Sequence, residues 1–462
     1  MNGPCLADVL ASTGAQLARG SADIVLAGVS TDTRTLRTGE LFLALDGPNF
    51  RGSTFAPHAV RAGAAALLLA ADTDLRVVPE GPAVALHPNP RRALGDLASW
   101  WRSQLAVPVV GITGSCGKTT TKNIVQQLLA ARMETVASPN SYNNDVGVPL
   151  TLLMGERSTE LFCVEIGTNN PGEIAALCRI ARPTAGVITN VGAAHLEGLG
   201  SLEGVAREKG DLAAAIPRDG FLVLNADCRF TPDMRSRAAA RVITFSVNGS
   251  GPSKGDLDAT DLVFHAGGTT FRLGAKEVTS PLLGTHNVQN LLAAFSVCVG
   301  LGLELEEVLP YVASIDGGPQ RMQRIDLAGL TLFDDTYNAN PDGMRAAVRV
   351  LAGMHGYRRR VLVLGDMLEL GELAGELHHR LGRDAAERGI DHLVLVGELA
   401  KAAAAGALEG GLAPEAVTHL ASTSEATEAI GALLRDGDVA LIKGSRRMRL
   451  ERLVERLRDE RA

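Results

Sequence analysis

The sequence predicts an α/β protein of three domains, and three observations lead to this prediction. Its 462 residues correspond to about three domains of ordinary size. Short apolar runs alternate with helical stretches, a pattern typical of parallel sheets covered by helices on both faces. Two segments rich in proline or glycine, 79–90 and 317–319, indicate domain boundaries. We therefore expect domains at residues 1–88, 89–318 and 319–462.

The composition is that of an ordinary globular protein, with 46% hydrophobic and 21% charged residues. There is no run of about 20 apolar residues, the length of a membrane-spanning helix, and the N-terminus has no secretory pattern. The net charge of −7 argues against binding of nucleic acid. Six scattered cysteines without a CxxC pair indicate neither a zinc site nor a disulfide scaffold. We expect a cytoplasmic protein that binds neither membranes nor nucleic acid.

Each domain is predicted from its own set of apolar strands. The first has strands at 41–45 and 67–69 with a helical stretch at 55–62 between them. The second is a parallel sheet with strands at 107–113, 161–166, 185–190 and 221–225 and helices at 119–132 and 288–300. The third is a smaller Rossmann-like unit with strands at 330–334, 361–364, 393–396 and 439–442.

A phosphate-binding loop is predicted between the first strand and the first helix of the second domain. The segment 114–120 reads GSCGKTT, which is Gly114, Ser115, Cys116, Gly117, Lys118, Thr119 and Thr120. Backbone N–H groups at a helix N-terminus bind phosphate oxygens. Lys118 would neutralise the terminal phosphates of a nucleotide, and Thr119 would bind Mg²⁺. A glycine-rich structural turn is the alternative, because the spacing of the standard motif is not kept.

Lysine is rare in this chain, with seven lysines among 45 basic residues. Because the chain uses arginine for most of its positive charges, each lysine is more often needed for a chemical property that arginine lacks. One cysteine in the loop, Cys116, lies beside Lys118 and a helix N-terminus, and both features predict a lowered pKa of its thiol.

Further motifs follow the loop in a fixed order. They are SPNSYNNDVGVP (138–149), VEIG (164–167), AHLEGLGS (194–201) and GTHNVQN (284–290). In this order they resemble the Mur ligase family, the ATP-dependent amide ligases of peptidoglycan precursor synthesis, and the resemblance covers the whole chain. It implies a UDP-sugar-binding first domain, an ATP-binding second domain and a ligase third domain.

Three later motifs are similar to one branch of that family. They are DDTYNANP (334–341), LGDMLELG (364–371) and KGSR (443–446). The branch joins D-alanyl-D-alanine to UDP-N-acetylmuramoyl-tripeptide through an acyl phosphate, so the resemblance implies these two substrates, ATP and Mg²⁺, and a monomer. Another Mur-type ligase, or a folylpolyglutamate or cyanophycin-type ligase, is the alternative function. A nucleotide-dependent switch without turnover is a third.

The resemblance assigns a catalytic and metal-binding set. Lys118, Glu165, His195 and Lys209 are the catalytic residues, and Thr119 joins the last three around Mg²⁺. Lys209 is expected to be carbamylated, which would turn its amine into a carboxylate. Without the resemblance, Glu165 could equally be a solvated carboxylate and His195 a surface histidine. Lys209 could be a surface lysine paired with Glu208 or Asp211.

The resemblance also assigns nucleotide and substrate contacts. Asn287, Arg321 and Asp335 would contact the adenosine, the γ-phosphate and the ribose. The first two could instead be a helix cap and a linker charge. The substrate-binding candidates are Ser30, Thr31, Asn49, Asn140, Asn143, Asn144, Asn338 and Asn340.

Overall fold

The structure is a computed structural model that describes residues 4–249, 254–265 and 267–461. It contains three β-sheets in chain order, of five, nine and six strands, each packed against helices. The expected three-domain α/β class is thereby confirmed. The boundaries at 88 and 318 stay predictions.

The first sheet has the strand order β1-β5-β4-β3-β2, with β1 antiparallel at one edge. Its strand β5 lies within segment 79–90, which the sequence indicated only as a boundary. The prolines of that segment flank the apolar strand and do not interrupt it, so it pairs with β4. The elements are α1 (Leu6–Thr13), β1 (Gln16–Arg19), β2 (Val29–Ser30), β3 (Leu41–Leu43), α2 (Ala56–Arg61), β4 (Ala66–Ala70), β5 (Ala83–His87) and 3-10 turns at Gly52–Phe55 and Leu75–Val77.

Helix α3 (Pro90–Gln104) connects the first two sheets. Asn89 caps it by accepting a hydrogen bond from the backbone of Arg92, and Pro90 occupies its first turn. Leu94 and Leu97 belong to the core of the first sheet, whereas Trp101 belongs to that of the second. The two units therefore share one continuous helix.

The second sheet has the order β14-β13-β12-β11-β10-β9-β6-β8-β7. The strands are β6 (Val109–Thr113), β7 (Thr135–Ala137), β8 (Leu161–Glu165), β9 (Ala185–Ile188), β10 (Phe221–Asn225), β11 (Arg241–Val247), β12 (Leu257–His265), β13 (Gly268–Leu273) and β14 (Lys276–Ser280). The helices are α4 (Lys118–Leu129), α5 (Gly147–Leu153), α6 (Glu173–Ala181), α7 (Leu196–Leu199), α8 (Leu202–Ala215), α9 (Thr231–Arg237), α10 (Thr285–Gly300), α11 (Leu305–Val308) and a 3-10 segment, Leu309–Ser314.

The strands from β7 to β12 are parallel, and β13 and β14 extend the sheet in antiparallel pairs that the sequence did not predict. The connections between β12, β13 and β14 are too short for the crossover that a parallel pair needs. Strand β6 is buried over its whole length, with Val110 and Ile112 in one hydrophobic cluster and Val109 in the other. Strand β6 also lies inside the sheet, between β9 and β8, so the start of the phosphate loop that follows it has a fixed position.

The third sheet has the order β15-β16-β20-β17-β18-β19, and only its edge strand β15 pairs antiparallel within the described residues. Its elements are β15 (Gln323–Leu327), β16 (Leu330–Asp334), α12 (Pro341–Ala352), β17 (Arg360–Gly365), α13 (Ala374–Glu387), β18 (His392–Val396), α14 (Lys401–Glu409), β19 (Val417–Leu420), α15 (Thr423–Leu433), β20 (Asp438–Lys443), α16 (Glu451–Glu460) and 3-10 turns at Gly371–Leu373, Pro414–Ala416 and Arg446–Met448.

The carboxyl ends of strands from the second and third sheets meet across one cleft. Asn340, which follows β16, donates a hydrogen bond from Nδ2 to the carbonyl of Ser115, which follows β6, at 3.2 Å. Ligands of open α/β sheets bind at the carboxyl ends of the strands. The fold therefore places the candidate site between the second and third units.

Among the described residues, no single helix has the length and hydropathy to cross a membrane. Helix α10 and the segment Leu305–Ser314 reach those limits only as a pair bent by 119°.

Candidate active site

The phosphate loop has a conformation that requires glycine at two positions. Gly114 has φ +155°, and a Cβ there would lie 1.9 Å from Thr189 Oγ1. Gly117 has φ +84° and precedes α4, and a Cβ there would lie 2.3 Å from Asn290 Oδ1. The loop can therefore lie close against α10 and the end of β9 only because both residues lack a side chain.

Thr189 and Asn190, which follow β9, hold the phosphate loop by hydrogen bonds. The sequence analysis predicted neither residue. The Cys116 backbone N–H donates to Asn190 Oδ1 at 2.9 Å, and Thr189 Oγ1 donates to the Cys116 carbonyl at 2.5 Å. The Ser115 hydroxyl donates to the Gly192 carbonyl at 3.1 Å. Thr189 and Asn190 lie at the carboxyl end of a predicted buried strand, β9, which pairs with the strand before the loop. This position could have indicated both residues.

Lys118 turns back over the loop, where its Nζ donates to the carbonyl of Gly114 at 2.7 Å. The N-terminus of α4 begins at this residue, so its free backbone N–H groups and its positive end lie at the same place. The loop thus combines the backbone donors and the ammonium group that a polyphosphate requires.

Glu165, at the end of β8, is buried with 1% of its surface exposed. Its Oε2 accepts a hydrogen bond from Thr119 Oγ1 at 2.7 Å, and its Oε1 accepts one from Asn143 Nδ2 at 2.8 Å. This geometry excludes the interpretation of Glu165 as a solvated surface carboxylate. Carboxylate and hydroxyl oxygens in contact are the hard donors that Mg²⁺ prefers.

The described residues contain no cluster of three His, Cys, Asp or Glu side chains that would hold a metal alone. This composition still fits Mg²⁺, which is commonly bound by one or two carboxylates together with substrate phosphates. Of the four predicted metal-binding residues, Thr119 and Glu165 are in contact, and His195 lines the same cavity as both.

Lys209 on α8 is buried, with 1% of its surface exposed. Its two candidate ion-pair partners are engaged elsewhere: Glu208 accepts from the backbone of Gly172 at 2.7 Å, and Asp211 pairs with Arg237 at 2.5 Å. The interpretation of Lys209 as a salt-bridged surface residue is therefore wrong. Burial, followed by the charge of Lys118, lowers the pKa of the Lys209 amine to about 7.

Lys122 is a further buried lysine that the prediction missed. Its Nζ donates to the carbonyls of Ser138 at 2.5 Å and Asn140 at 3.2 Å, which holds the 138–149 segment against α4. Burial lowers the pKa of Lys122, whereas nearby Glu165 raises it. The rarity of lysine in the sequence is the feature that could have indicated Lys122.

A cavity of about 270 Å³ lies between the phosphate loop and the third sheet. Its lining brings together all three predicted nucleotide contacts, Asn287, Arg321 and Asp335, with Lys118 and Thr119. A larger cavity of about 660 Å³ adjoins it and shares Cys116, His286 and Gly343 with it.

Two of the nucleotide contacts have partners from the third sheet. The Arg321 guanidinium lies 4.0 Å from the centre of the Tyr337 ring, a cation–π contact, and burial lowers its pKa. Asp335 Oδ2 accepts from Lys443 Nζ at 2.7 Å. Asn287 is buried within the first turn of α10, and its Oδ1 accepts from Asn290 Nδ2 at 3.1 Å. The cap position of α10 is Gly284, so the interpretation of Asn287 as a helix cap is wrong.

The predicted substrate asparagines divide into several local roles. Asn143 contacts Glu165, and both Asn338 and Asn340 line the cavity. Asn144 accepts hydrogen bonds from the backbone of Val146 and Gly147, at the start of α5. Asn140 adopts a left-handed backbone conformation with φ 47°.

The predicted substrate contacts of the first domain lie apart from this cavity. Ser30 ends β2, where its hydroxyl donates to the carbonyl of Asp32 at 3.0 Å. Thr31 follows directly, and Asn49 is exposed in the turn that joins Gly47 to Phe50. None of the three lines the cavity between the second and third sheets, and their role stays a prediction.

The expected lowering of the Cys116 thiol pKa is wrong. Burial raises the pKa of this thiol, and Asp342 adds to the increase, by more than the hydrogen bond with Asn340 and the charges of Lys443 and Lys118 lower it. The sulfur is 3.1 Å from Asn340 Oδ1, a contact from the third sheet that the sequence does not reveal.

We therefore expect iodoacetamide to alkylate Cys116 no faster than an ordinary thiol, because it is protonated at neutral pH. The rate of activity loss with and without ATP and Mg²⁺ measures this, and Cys116→Ser should remain active as the control. Fast, nucleotide-protected inactivation that is absent from Cys116→Ser would contradict the expectation.

Comparison with known proteins identifies the family. The Mur ligase family, catalytic domain, matches residues 25–101, the Mur ligase middle domain matches 112–298, and the Mur ligase, glutamate ligase domain, matches 320–446. The chain is 37% identical over 446 residues to the UDP-N-acetylmuramoyl-tripeptide–D-alanyl-D-alanine ligase of Escherichia coli (strain K12), covering 95% of both chains.

Solved structures agree with this match. MurF from Acinetobacter baumannii superposes with a TM-score of 0.87 at 31% identity, covering 98% of both chains. MurF ligase from Thermotoga maritima in complex with ADP gives a TM-score of 0.80 at 27% identity, covering 94% of this chain and 97% of that one. The chain therefore belongs to the Mur ligase family, in the branch of the UDP-N-acetylmuramoyl-tripeptide–D-alanyl-D-alanine ligases.

Proposed function

We propose that this chain uses ATP to join D-alanyl-D-alanine to UDP-N-acetylmuramoyl-tripeptide, a step of peptidoglycan precursor synthesis. The observation that carries the proposal is the cavity in which the phosphate loop faces Arg321, Asp335 and Lys443. The similarity over 95% of the chain to a ligase of that name supports the choice of substrates.

The reaction forms an amide from a carboxylate and an amine. A carboxylate oxygen of the tripeptide attacks the γ-phosphorus of ATP, the bond to the β-phosphate breaks, and ADP leaves. The amine of D-alanyl-D-alanine, once deprotonated, attacks the acyl carbon of the acyl phosphate, and inorganic phosphate departs. Because two anions approach each other in the first step, stabilisation of negative charge should dominate catalysis.

The positions of the residues support the roles that we propose for them. The α4 N-terminus and Lys118 would hold the phosphates, and Arg321, which lines the same cavity, would contact the γ-phosphate. Asp335, whose Oδ2 accepts from Lys443 Nζ, would accept hydrogen bonds from the ribose hydroxyls. Asn287, on the first turn of α10, would contact the adenosine.

Mg²⁺ would be held by Thr119, Glu165 and His195, with a carbamylated Lys209. When bound, the metal would offset the phosphate charge as the two anions meet. A carbamate forms when a neutral amine adds CO₂, and the pKa of about 7 leaves much of Lys209 neutral near physiological pH. Glu165 stays in place because Thr119 and Asn143 fix both of its oxygens.

We also propose that Ser30, Thr31 and Asn49 contact the UDP-sugar and that Asn140, Asn143, Asn144, Asn338 and Asn340 contact the peptide substrates. The enzyme would work as a cytoplasmic monomer with reduced cysteines. All six cysteines are free, which supports the reduced state of the thiols.

The test is ADP release by the purified protein. We expect release only when ATP, Mg²⁺, UDP-N-acetylmuramoyl-tripeptide and D-alanyl-D-alanine are all present, because the acyl phosphate needs an amine acceptor to turn over. Controls replace the dipeptide by D-alanine or L-glutamate, and the UDP-tripeptide by a folate. Equal turnover with a single amino acid or with the folate would contradict the proposed substrates and favour another ligase of this kind.

A further inference from the structure

The segment 364–371 forms a rigid turn beside the active site. The Met367 backbone N–H donates to His378 Nε2 at 2.9 Å, and the Leu368 N–H donates to Ser445 Oγ at 2.9 Å. The carbonyl of Asp366 accepts from the backbone of Ser445 at 3.0 Å. These anchors come from α13 and from the residues after β20, so the turn has a fixed position on the third sheet.

Glu369 leaves this turn with a left-handed backbone, φ +63°, and its side chain extends to the second sheet. Its Oε2 lies 3.0 Å from Nδ1 of His195. The Glu369 side chain is 54% exposed, so this pair contributes little to stability. A left-handed glutamate held by a rigid turn and aimed at a proposed metal ligand indicates a role in the site.

The contact determines which nitrogen of His195 carries the proton. A carboxylate only accepts hydrogen bonds, so Nδ1 of the neutral imidazole must hold the proton. Nε2 then presents its lone pair, the form in which histidine binds a metal. Metal-binding histidines commonly donate their other N–H to a carboxylate, which fixes the tautomer and the ring orientation.

A second contact holds the same loop. The Ala193 backbone N–H donates to Asp342 Oδ2 at 3.1 Å, and Asp342 lies in the first turn of α12. The residues before His195 and the imidazole itself are thus both held by the third sheet. The tautomer of His195 depends on the two sheets being together.

We propose that Glu369 is a positioning residue for His195, so that approach of the third domain completes the metal site. This inference rests on the proposed function, in which His195 helps to hold Mg²⁺. It assigns a role to the 364–371 motif, whose part in the site the proposed function leaves open.

The test uses Glu369→Ala and Glu369→Gln in the full chain, with Glu372→Gln in the following 3-10 turn as the matched control. Glu372 is exposed, so its replacement should change nothing. The first readout is the ¹⁵N NMR spectrum of histidine-labelled, metal-free protein with ADP, in which His195→Gln assigns the resonance. We expect Nδ1–H in the wild type and in the control, a shift toward Nε2–H in Glu369→Ala, and an intermediate spectrum in Glu369→Gln.

The second readout is Mn²⁺ affinity with ADP, measured by electron paramagnetic resonance. Loss of such a carboxylate partner should weaken binding about 10- to 100-fold in Glu369→Ala. In turnover, kcat should fall at fixed Mg²⁺, while the KM for D-alanyl-D-alanine stays unchanged. The melting temperature should match that of the wild type.

Two results would overturn the inference. One is an unchanged His195 tautomer and Mn²⁺ affinity in Glu369→Ala. The other is a raised KM for D-alanyl-D-alanine without a change in metal binding, which would make Glu369 a ligand of the substrate ammonium. The NMR and Mn²⁺ measurements need no reaction, whereas the proposed function is tested by wild-type turnover. Failure of the inference can therefore be distinguished from failure of the proposed function.

Discussion

Replacement of Lys209 by alanine is expected to lower kcat by about 10³-fold or more, as for loss of a strong transition-state stabiliser. Lys209→Arg should be no better, because a guanidinium keeps its proton and cannot be carbamylated. Steady-state ADP release measures both variants. Lys401→Ala, on the exposed first residue of α14, is the control for general effects of losing a lysine.

Two further measurements distinguish a loss of the carbamate from a loss of folding. In ¹³C-bicarbonate, wild-type protein should show a carbamate ¹³C resonance that is absent from Lys209→Arg and retained in Lys401→Ala. Lys209→Met should unfold at the wild-type temperature or above it, because it removes the cost of burying a polar group at this position. Near-wild-type activity of Lys209→Arg would contradict the carbamate.

Replacement of Glu165 by glutamine is expected to lower kcat by about 10²- to 10³-fold. The amide keeps the size of the side chain, and its oxygen can still accept from Asn143. What is lost is the negative charge beside Thr119, and with it the strongest oxygen donor for Mg²⁺. The measurement is kcat as a function of Mg²⁺ concentration, and the apparent Mg²⁺ requirement should rise.

Glu277→Gln, exposed on the edge strand β14, is the matched control and should leave both kcat and the Mg²⁺ requirement unchanged. Because Glu165 is buried among polar partners, folding is checked by the melting temperature of each variant. A Glu165→Gln protein that folds and turns over like the wild type would show that this carboxylate takes no part in catalysis.

The sequence predicted those parts of the fold that depend on local pattern. Buried runs such as 107–113 and 221–225 gave the strands, and the glycine-rich turn before α4 gave the phosphate loop. The pair β13 and β14 was missed, because neither strand has the continuous apolar run of a buried parallel strand: β13 reads GTTFRL and β14 reads KEVTS.

The site was predicted less completely, because many of its contacts join residues far apart in the chain. Asn340 to Cys116, Lys443 to Asp335 and Glu369 to His195 all link different elements. The Cys116 pKa shows the consequence: its sequence neighbours favour the thiolate, but burial in the folded chain and the charge of Asp342 raise the pKa of the thiol. The resemblance named Lys209, but its burial and the engagement of Glu208 and Asp211 became visible only in the fold.

Activation of the substrate carboxylate by phosphorylation transfers one of its oxygen atoms to phosphate, and this transfer can be measured. UDP-N-acetylmuramoyl-tripeptide labelled with ¹⁸O in its terminal carboxyl group is turned over with ATP, Mg²⁺ and D-alanyl-D-alanine, and the released phosphate is examined by ³¹P NMR. We expect one ¹⁸O atom in each phosphate, because the acyl carbon–oxygen bond breaks when the amine attacks. Phosphate without ¹⁸O, released together with the amide product, would contradict it.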